Sequence, residues 1–413
     1  MTNTAIPAIM PQKRPTHPYL FLMVLGWLFL SLASSCSDDA NEGPLYEPLY
    51  LVDYENLGVF TREQVIESLS AFEFPTAGVS AFMRFDVEAI RIIYKTESYD
   101  QDIIQASGLL IVPRGNDQFP ALSFQRGTIY DFEESPSAMN SVYSGMGLFF
   151  GSTGFITVLP DYIGYGVSSD IPHPYMHRHT MAASAIDMLR AAREYLIVEH
   201  TGQNIEDVFM TGYSQGGYAT LASLKQLQEQ NDREFNVRAV TAGGGPYNKT
   251  ATLKYLLSAD ENLDAINTYI WAIDTYNRVY PELNRPYTYY YNEPYASMIA
   301  QQGVFAPVAM NPADLFTAEF RHAVLEGTDP VLAAIMADND VFDWRPDVPL
   351  RLYHGTADMV VPFINAQTTY EAMGAAGASD LELIPVPGAG HLEAFATYLT
   401  GTFTFFLQLV LSS

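Results

Sequence analysis

Cysteine is almost absent from this chain: Cys36 is the single one among 413 residues. An intrachain disulfide is therefore impossible, and zinc sites built from several thiolates are excluded. Basic residues are also scarce, with 21 Lys and Arg against 47 Asp and Glu, and the formal net charge is −26. We expect no nucleic-acid partner, because so acidic a protein would be repelled by a phosphate backbone. The chain also lacks an internal repeat and a Walker-type glycine loop for phosphates.

The remaining composition is that of a folded protein. Hydrophobic residues make up 48% of the chain and charged residues 16%. This balance indicates a globular chain with enough material for one large α/β domain or two smaller ones.

The N-terminal segment has the features of a targeting signal. Lys13 and Arg14 precede an apolar run at residues 19–30, which is short for a membrane span. Small residues then lead to Cys36 and resemble a bacterial lipobox. We predict a lipoprotein signal peptide over residues 1–35 and lipid attachment at Cys36. An ordinary secretory signal with an incidental cysteine is the alternative.

The body of the chain follows a tether, which we place at residues 36–60 because this stretch is acidic and shows no clear period. Thr61 and Gln64 form a capping-box pattern for a first helix. Alternating segments at 85–94 and 106–113 predict a strand pair. Apolar strands then alternate with amphipathic helices, which is the pattern of a mostly parallel sheet flanked by helices. We assign residues 61–245 and 346–413 to this α/β core.

The rhythm breaks between residues 246 and 345. This stretch is too long for one crossover between strands, and its pattern predicts a helical cap or lid over the site. Its many tyrosines suit the wall of a pocket for an amphiphilic ligand. Packing of the cap against the core explains them equally well. They are Tyr276, Tyr280, Tyr287, Tyr289, Tyr290, Tyr291 and Tyr295.

The chemistry centres on Ser214 in the sequence G-Y-S-Q-G-G at 212–217. A strand-type run precedes it and a helical pattern follows, which predicts a strained turn that exposes the serine hydroxyl. A serine nucleophile needs an imidazole base and a carboxylate that orients it. His391 and Asp358 both follow predicted strands, so their loops meet at the sheet edge where the Ser214 turn lies. We predict a Ser214–His391–Asp358 triad.

These motifs together give the chain a family resemblance. It resembles an α/β-hydrolase, and within that superfamily the secretory lipases and esterases. The resemblance covers about residues 80–412 and is carried by G-Y-S-Q-G-G at 212–217, H-G-T-A-D-x-x-V-P at 354–362, G-A-G-H at 388–391 and P-D-Y-I-G-Y-G at 160–166. It implies the α/β-hydrolase fold with a helical cap and hydrolysis of carboxylic esters through an acyl-enzyme. The chain order Ser214, Asp358, His391 agrees with it.

An oxyanion hole needs two N–H donors. We expect one from Gln215, directly after the nucleophile, and the other from the backbone of Arg126, Gly127 or Thr128 in the loop after the third core strand. Relatives often carry His-Gly-Thr here, whereas this chain has Arg126 in place of His. Arg126 is a candidate ligand for a substrate carboxylate. Further candidate substrate contacts are Asp161, Tyr162 and Tyr213.

We expect no metal and no cofactor. His173, His177 and His179 are close in sequence, but their spacing does not make them converge as metal ligands require. The expected partners are a small-molecule or lipid ester and, through the lipid anchor, a membrane. We expect a monomer in the cell envelope, at the outer membrane or surface of a Gram-negative bacterium.

Two other functions are compatible with these motifs. A peptidase of the prolyl-oligopeptidase kind uses the same triad, although this chain lacks the long N-terminal propeller of those enzymes. A catalytically silent lipoprotein could use the same fold to bind a ligand, although such relatives usually lose a triad residue. Labelling of Ser214 by a fluorophosphonate distinguishes an enzyme from a silent binder.

Overall fold

A nine-stranded sheet organises the part of the chain that the computed structural model describes, which is residues 46–71, 80–199 and 201–412. The predicted signal peptide and Cys36 lie outside the described residues. The strands are β1 (Leu51–Phe60), β2 (Val87–Glu97), β3 (Ile103–Pro113), β4 (Ala121–Gln125), β5 (Ile156–Pro160), β6 (Asp207–Tyr213), β7 (Asn236–Gly243), β8 (Leu350–Gly355) and β9 (Leu381–Val386). Their spatial order is β1-β2-β3-β5-β4-β6-β7-β8-β9.

The sheet is mostly parallel, which confirms the predicted fold class. β1, β2, β3 and β5 pair antiparallel, and every pairing from β5 onward through β4, β6, β7 and β8 to β9 is parallel. Parallel strands place their carboxyl ends at one edge, so the loops after β4, β6, β8 and β9 all open on the same side.

Helices cover both faces of this sheet. They are α1 (Arg62–Ala71), α2 (Val142–Ser152), α3 (Arg178–Val198), α4 (Gln215–Glu229), α5 (Lys249–Ser258), α6 (Ile266–Val279), α7 (Tyr287–Tyr290), α8 (Tyr295–Gln302), α9 (Pro312–Leu315), α10 (Ala318–Leu325), α11 (Pro330–Asp338), α12 (Ile364–Ala375) and α13 (Glu393–Ser412). One apolar core lies between the sheet and α1, α2 and α13, and a second lies between the sheet and α3, α4 and α12. The capping box of α1 is confirmed, since Thr61 and Gln64 each accept the backbone N–H of the other.

The first strand corrects the predicted tether. Residues 51–60 pair with β2 from Leu51 opposite Tyr94 to Phe60 opposite Val87. The Glu194 carboxylate of α3 also accepts three backbone N–H groups just before and at the start of this strand, at 2.7–2.9 Å. The tether is therefore wrong for this stretch. β1 is an edge strand with most side chains exposed, so no alternation of apolar residues marked it.

The segment between β7 and β8 is a helical cap with its own apolar core, built from α5 to α11. Its two ends meet at a short stem. Val341 N–H donates to the Tyr247 carbonyl at 2.9 Å, and the Lys249 N–H donates to the Asp340 carboxylate at 2.5 Å. The cap also contacts a core loop, because the Tyr269 hydroxyl donates to the Val360 carbonyl at 2.5 Å.

The last helix, α13, is long and apolar enough to cross a membrane by length and composition alone. Within the described residues, however, it packs as a core helix. Tyr398 and Phe406 are fully buried, and the Tyr398 hydroxyl is 2.6 Å from that of Thr211 in β6. One face of the helix, which includes Leu399 and Phe403, packs against the sheet, whereas Leu411 near its end is exposed.

Candidate active site

Ser214 occupies a strained turn between β6 and α4. Its φ of 59° and ψ of −122° are unusual for a residue with a side chain. The neighbouring glycines make the turn possible. A Cβ on Gly216 would clash with the Gln125 carbonyl oxygen, and one on Gly212 would clash with the Gly216 carbonyl oxygen. The strain is therefore held by close packing of α4 against β4, and it lifts the serine above the sheet edge.

The structure brings Ser214, His391 and Asp358 into one hydrogen-bonded chain. His391 Nε2 lies 2.9 Å from the Ser214 hydroxyl oxygen, and His391 Nδ1 lies 2.6 Å from Asp358 Oδ2. The carboxylate can only accept, so Nδ1 carries the proton and Nε2 presents a lone pair to the serine. This tautomer is the one that a general base requires.

Asp358 is held as a carboxylate by several donors. Its Oδ1 accepts the backbone N–H groups of Val360 and Val361 at 2.9 and 2.8 Å. His354 Nε2 lies 3.4 Å from Oδ2 and is shared with the Val361 carbonyl at 2.7 Å. Burial opposes the charge, but hydrogen bonds from His354 and His391 lower the pKa of Asp358 to about 2. The carboxylate is thus ionised across the neutral range.

His354 is a supporting residue that the sequence analysis did not assign. It is fully buried at the end of β8, and its ring fixes the loop that carries Asp358. The sequence did contain a clue to His354, because it begins the motif H-G-T-A-D at 354–358. Only the aspartate of that motif was assigned a role.

Tyr213 lines the cavity and also contacts His391. Its hydroxyl donates to the His391 carbonyl at 2.6 Å, and the two rings lie 5.3 Å apart between centroids. Tyr213 therefore fixes the backbone of the loop from which the imidazole projects.

A cavity of about 490 Å³ opens directly on Ser214 and His391. Most of its wall is aliphatic or aromatic, which is typical of a site for an apolar ligand. Part of its wall is formed by cap side chains, among them Phe320, Leu332 and Met336. Of the seven tyrosines singled out in the sequence of the cap, Tyr276 and Tyr290 lie on this wall, and Tyr269 of α6 joins them.

The other cap tyrosines pack or bind within the protein. The Tyr280 hydroxyl donates to Asp338 at 2.7 Å and the Tyr287 hydroxyl to Asp274 at 2.6 Å. Some cap tyrosines therefore line the cavity and others hold the cap together, so the two interpretations of the sequence both apply.

Two of the expected oxyanion donors line the same cavity as Ser214, and another directly follows it in the chain. Gly127 and Thr128 are on its wall, and the Thr128 hydroxyl is 2.8 Å from that of Tyr175. Gln215 is the first residue of α4, where a backbone N–H has no acceptor within the helix. The helix N-terminus adds a partial positive charge beside Ser214. The role of these three residues as donors stays a prediction.

The structure contradicts three of the predicted substrate contacts. Arg126, Asp161 and Tyr162 are each 0% exposed and are not part of the cavity wall within the described residues. The Arg126 guanidinium lies between the rings of Tyr162 and Tyr165, 4.5 and 4.0 Å from their centroids. It donates to the carbonyls of Asp161 and Gly127 at 2.7–3.1 Å. Arg126 is therefore a buried residue that links the loop of Gly127 to the end of β5 through hydrogen bonds.

Asp161 is equally enclosed. Its carboxylate accepts the hydroxyls of Ser107 and Ser137 at 2.6 and 2.5 Å and the Ser137 N–H at 2.9 Å. The sequence placed Asp161 correctly at the end of β5, but it could not show that neighbouring serines consume its acceptors.

The side chain of Gln215 faces away from the cavity. Its amide donates to His173 Nε2 at 2.8 Å, and His173 Nδ1 donates to the Ile163 carbonyl at 2.5 Å. Burial and the nearby Arg126 lower the pKa of His173 to about 3, which keeps this ring neutral. His173 thus orients the residue that follows the nucleophile, a role that its sequence position did not suggest.

Comparison with known proteins agrees with this architecture. A family model described as secretory lipase matches residues 147–405, well over half of the chain. Lipase 4 of Candida albicans is 31% identical over 67 residues, and the match spans 16% of this chain and 15% of that protein.

Solved structures are similar over most of the chain. A Legionella pneumophila protein described as a candidate hydrolase has 27% identity and a TM-score of 0.78, with 87% of this chain and 98% of that chain covered. The rice cell wall degrading esterase LipA of Xanthomonas oryzae has 22% identity and a TM-score of 0.73 over 86% and 95% of the two chains, a likeness of fold. The chain belongs to the secretory lipase family and has the α/β-hydrolase fold.

Proposed function

We propose that this chain hydrolyses carboxylic esters through an acyl-enzyme on Ser214. His391 removes the serine proton as the hydroxyl attacks the ester carbonyl, and Asp358 stabilises the imidazolium that forms. His391 then protonates the departing alcohol. A water molecule repeats the attack on the acyl-enzyme with the same base, and Ser214 is released.

One observation carries this proposal: His391 bridges Ser214 and Asp358 at the mouth of a largely apolar cavity. The backbone N–H groups of Gln215 and of Gly127 or Thr128 would bind the oxyanion. The apolar wall favours esters with a hydrocarbon acyl part, which would extend toward Leu332 and Met336 in the cap. Family membership supports the same reaction class.

Replacement of Ser214 by Ala tests the nucleophile. Wild type should hydrolyse p-nitrophenyl butyrate and be labelled by a fluorophosphonate at Ser214, and Ser214→Ala should lose both. Ser70→Ala is the matched control, because Ser70 is an exposed serine on α1. Hydrolysis at the wild-type rate by Ser214→Ala would refute the role of Ser214 as the nucleophile.

We further propose that Cys36 carries a lipid that holds the enzyme, as a monomer, at the envelope of a Gram-negative bacterium. The support is the lipobox-like sequence before Cys36 and the secretory character of the family. Metabolic labelling with an alkyne fatty acid should mark wild type and not Cys36→Ser, and the variant should leave the membrane fraction. Equal labelling and fractionation of both proteins would refute the anchor.

A further inference from the structure

Tyr143 places a phenolic hydroxyl at the junction of the oxyanion loop and the serine turn. It is the second residue of α2 and lines the cavity together with Gly127 and Ser214. Its hydroxyl oxygen lies 2.5 Å from the point that a Cβ on Gly127 would occupy. The same point is 3.4 Å from the carbonyl oxygen of Tyr213, directly before the nucleophile. The absence of a side chain at Gly127 thus makes room for this hydroxyl.

The proton of this hydroxyl is free to be donated. The phenol oxygen lies beside the backbone of Gly127. Within the described residues, no protein group accepts the Tyr143 proton. Burial raises the pKa of Tyr143 although Arg126 and the Gly127 amide oppose it, so the group stays a neutral donor at physiological pH.

Four other tyrosines on the cavity wall already donate their hydroxyl protons within the protein. Tyr213, Tyr269, Tyr276 and Tyr290 donate to the His391, Val360 and Met176 carbonyls and to the Asn277 side chain, respectively. Their hydroxyls serve the protein framework. Tyr143 differs from these four, because its hydroxyl lies beside Gly127 on the cavity wall that Ser214 and His391 share.

We propose that the Tyr143 hydroxyl is an additional oxyanion donor for the reaction, an inference that rests on the proposed function. As the Ser214 oxygen bonds to the carbonyl carbon, the π electron pair moves to the carbonyl oxygen and the serine proton moves to His391 Nε2. Tyr143 keeps its proton and donates a hydrogen bond to that oxygen. A neutral phenol donor already held at this place needs no reorganisation as the charge develops on the carbonyl oxygen.

Tyr143→Phe removes the hydroxyl and keeps the ring. Loss of one oxyanion donor lowers kcat by about 100-fold, and we expect that loss with KM for p-nitrophenyl butyrate nearly unchanged. A trifluoromethyl ketone forms a hemiketal oxyanion with the serine, and its affinity should fall by the same factor. The affinity of a neutral amide analogue should not change. A merely structural role for Tyr143 would not separate these two inhibitors.

Gly127→Ala is the second variant, because its Cβ would displace the hydroxyl while Tyr143 remains. It should lower kcat in wild type and add little further loss to Tyr143→Phe. Tyr94→Phe is the control for loss of a buried phenol, since its hydroxyl donates to the Ser184 carbonyl away from the cavity. Thermal midpoints identify a variant that fails to fold, in which case the other variant decides.

The outcomes separate the two proposals. Wild type without hydrolysis and without fluorophosphonate labelling would overturn both. An active wild type, with folded Tyr143→Phe or Gly127→Ala that keeps full kcat and full trifluoromethyl ketone affinity, would overturn the role of Tyr143 alone.

Discussion

Replacement of Asp358 by Asn tests both the chemistry and the electrostatics of the site. Asn keeps an oxygen for the N–H groups of Val360 and Val361, but it turns an N–H toward His391 Nδ1. The imidazole must then carry its proton on Nε2, where it cannot accept the serine proton. We expect kcat to fall by about 10⁴-fold, or about 5 kcal/mol in the activation free energy.

The same substitution has a calculable effect on stability. Because the pKa of Asp358 is lowered to about 2 in the folded protein, its ionised form stabilises the fold at pH above the unfolded value near 4. That stabilisation, on the order of 2 kcal/mol, is lost as the pH falls from about 5 through 2. Asp358→Asn should therefore show a shallower decrease of unfolding free energy over this acid range than wild type.

Urea denaturation between pH 7 and pH 2.5 and p-nitrophenyl butyrate hydrolysis at pH 7.5 measure the two effects. Asp338→Asn is the control, because Asp338 also faces a histidine, His179 at 3.4 Å, but lies off the cavity wall. It should change stability and leave kcat intact. If Asp358→Asn keeps more than a tenth of the wild-type kcat, the proposed orientation of His391 by this carboxylate is refuted.

Three further substitutions probe the supporting structure. Gly216→Ala drives a Cβ into the backbone carbonyl of Gln125, which cannot rotate away, so urea unfolding should show a loss of about 2–3 kcal/mol; an unchanged midpoint would contradict the packing argument. Arg126→Met leaves buried carbonyls without donors and should lower the unfolding free energy by about 3 kcal/mol; equal stability would show that these hydrogen bonds are dispensable. Leu332→Trp adds bulk to the cap side of the cavity wall and should raise the butyrate-to-palmitate ratio of kcat/KM by about 10-fold; an unchanged ratio would place the acyl chain elsewhere.

The parts of the site that sequence could predict are those with local signals. The turn at Ser214 is indicated by adjacent glycines between a strand pattern and a helix pattern. Asp358 and His391 follow strands that the hydrophobic pattern predicts. The errors concern partners distant in the chain. Arg126 and Asp161 read as pocket residues because their loop positions are correct, whereas their burial depends on Tyr165, Ser107 and Ser137, which no local pattern connects to them.

The stem of the cap has a consequence for how this enzyme can change. Because Tyr247 and Val341 join the two ends of the cap by a hydrogen bond, residues 248–340 form a contiguous block with a fixed entry and exit. β7 and β8 pair directly beside that junction. Ser214, Asp358 and His391 all lie outside this block, whereas the cavity wall takes side chains from both the block and the core. Substitutions within the block would therefore reshape one part of the cavity without replacing any of these three residues.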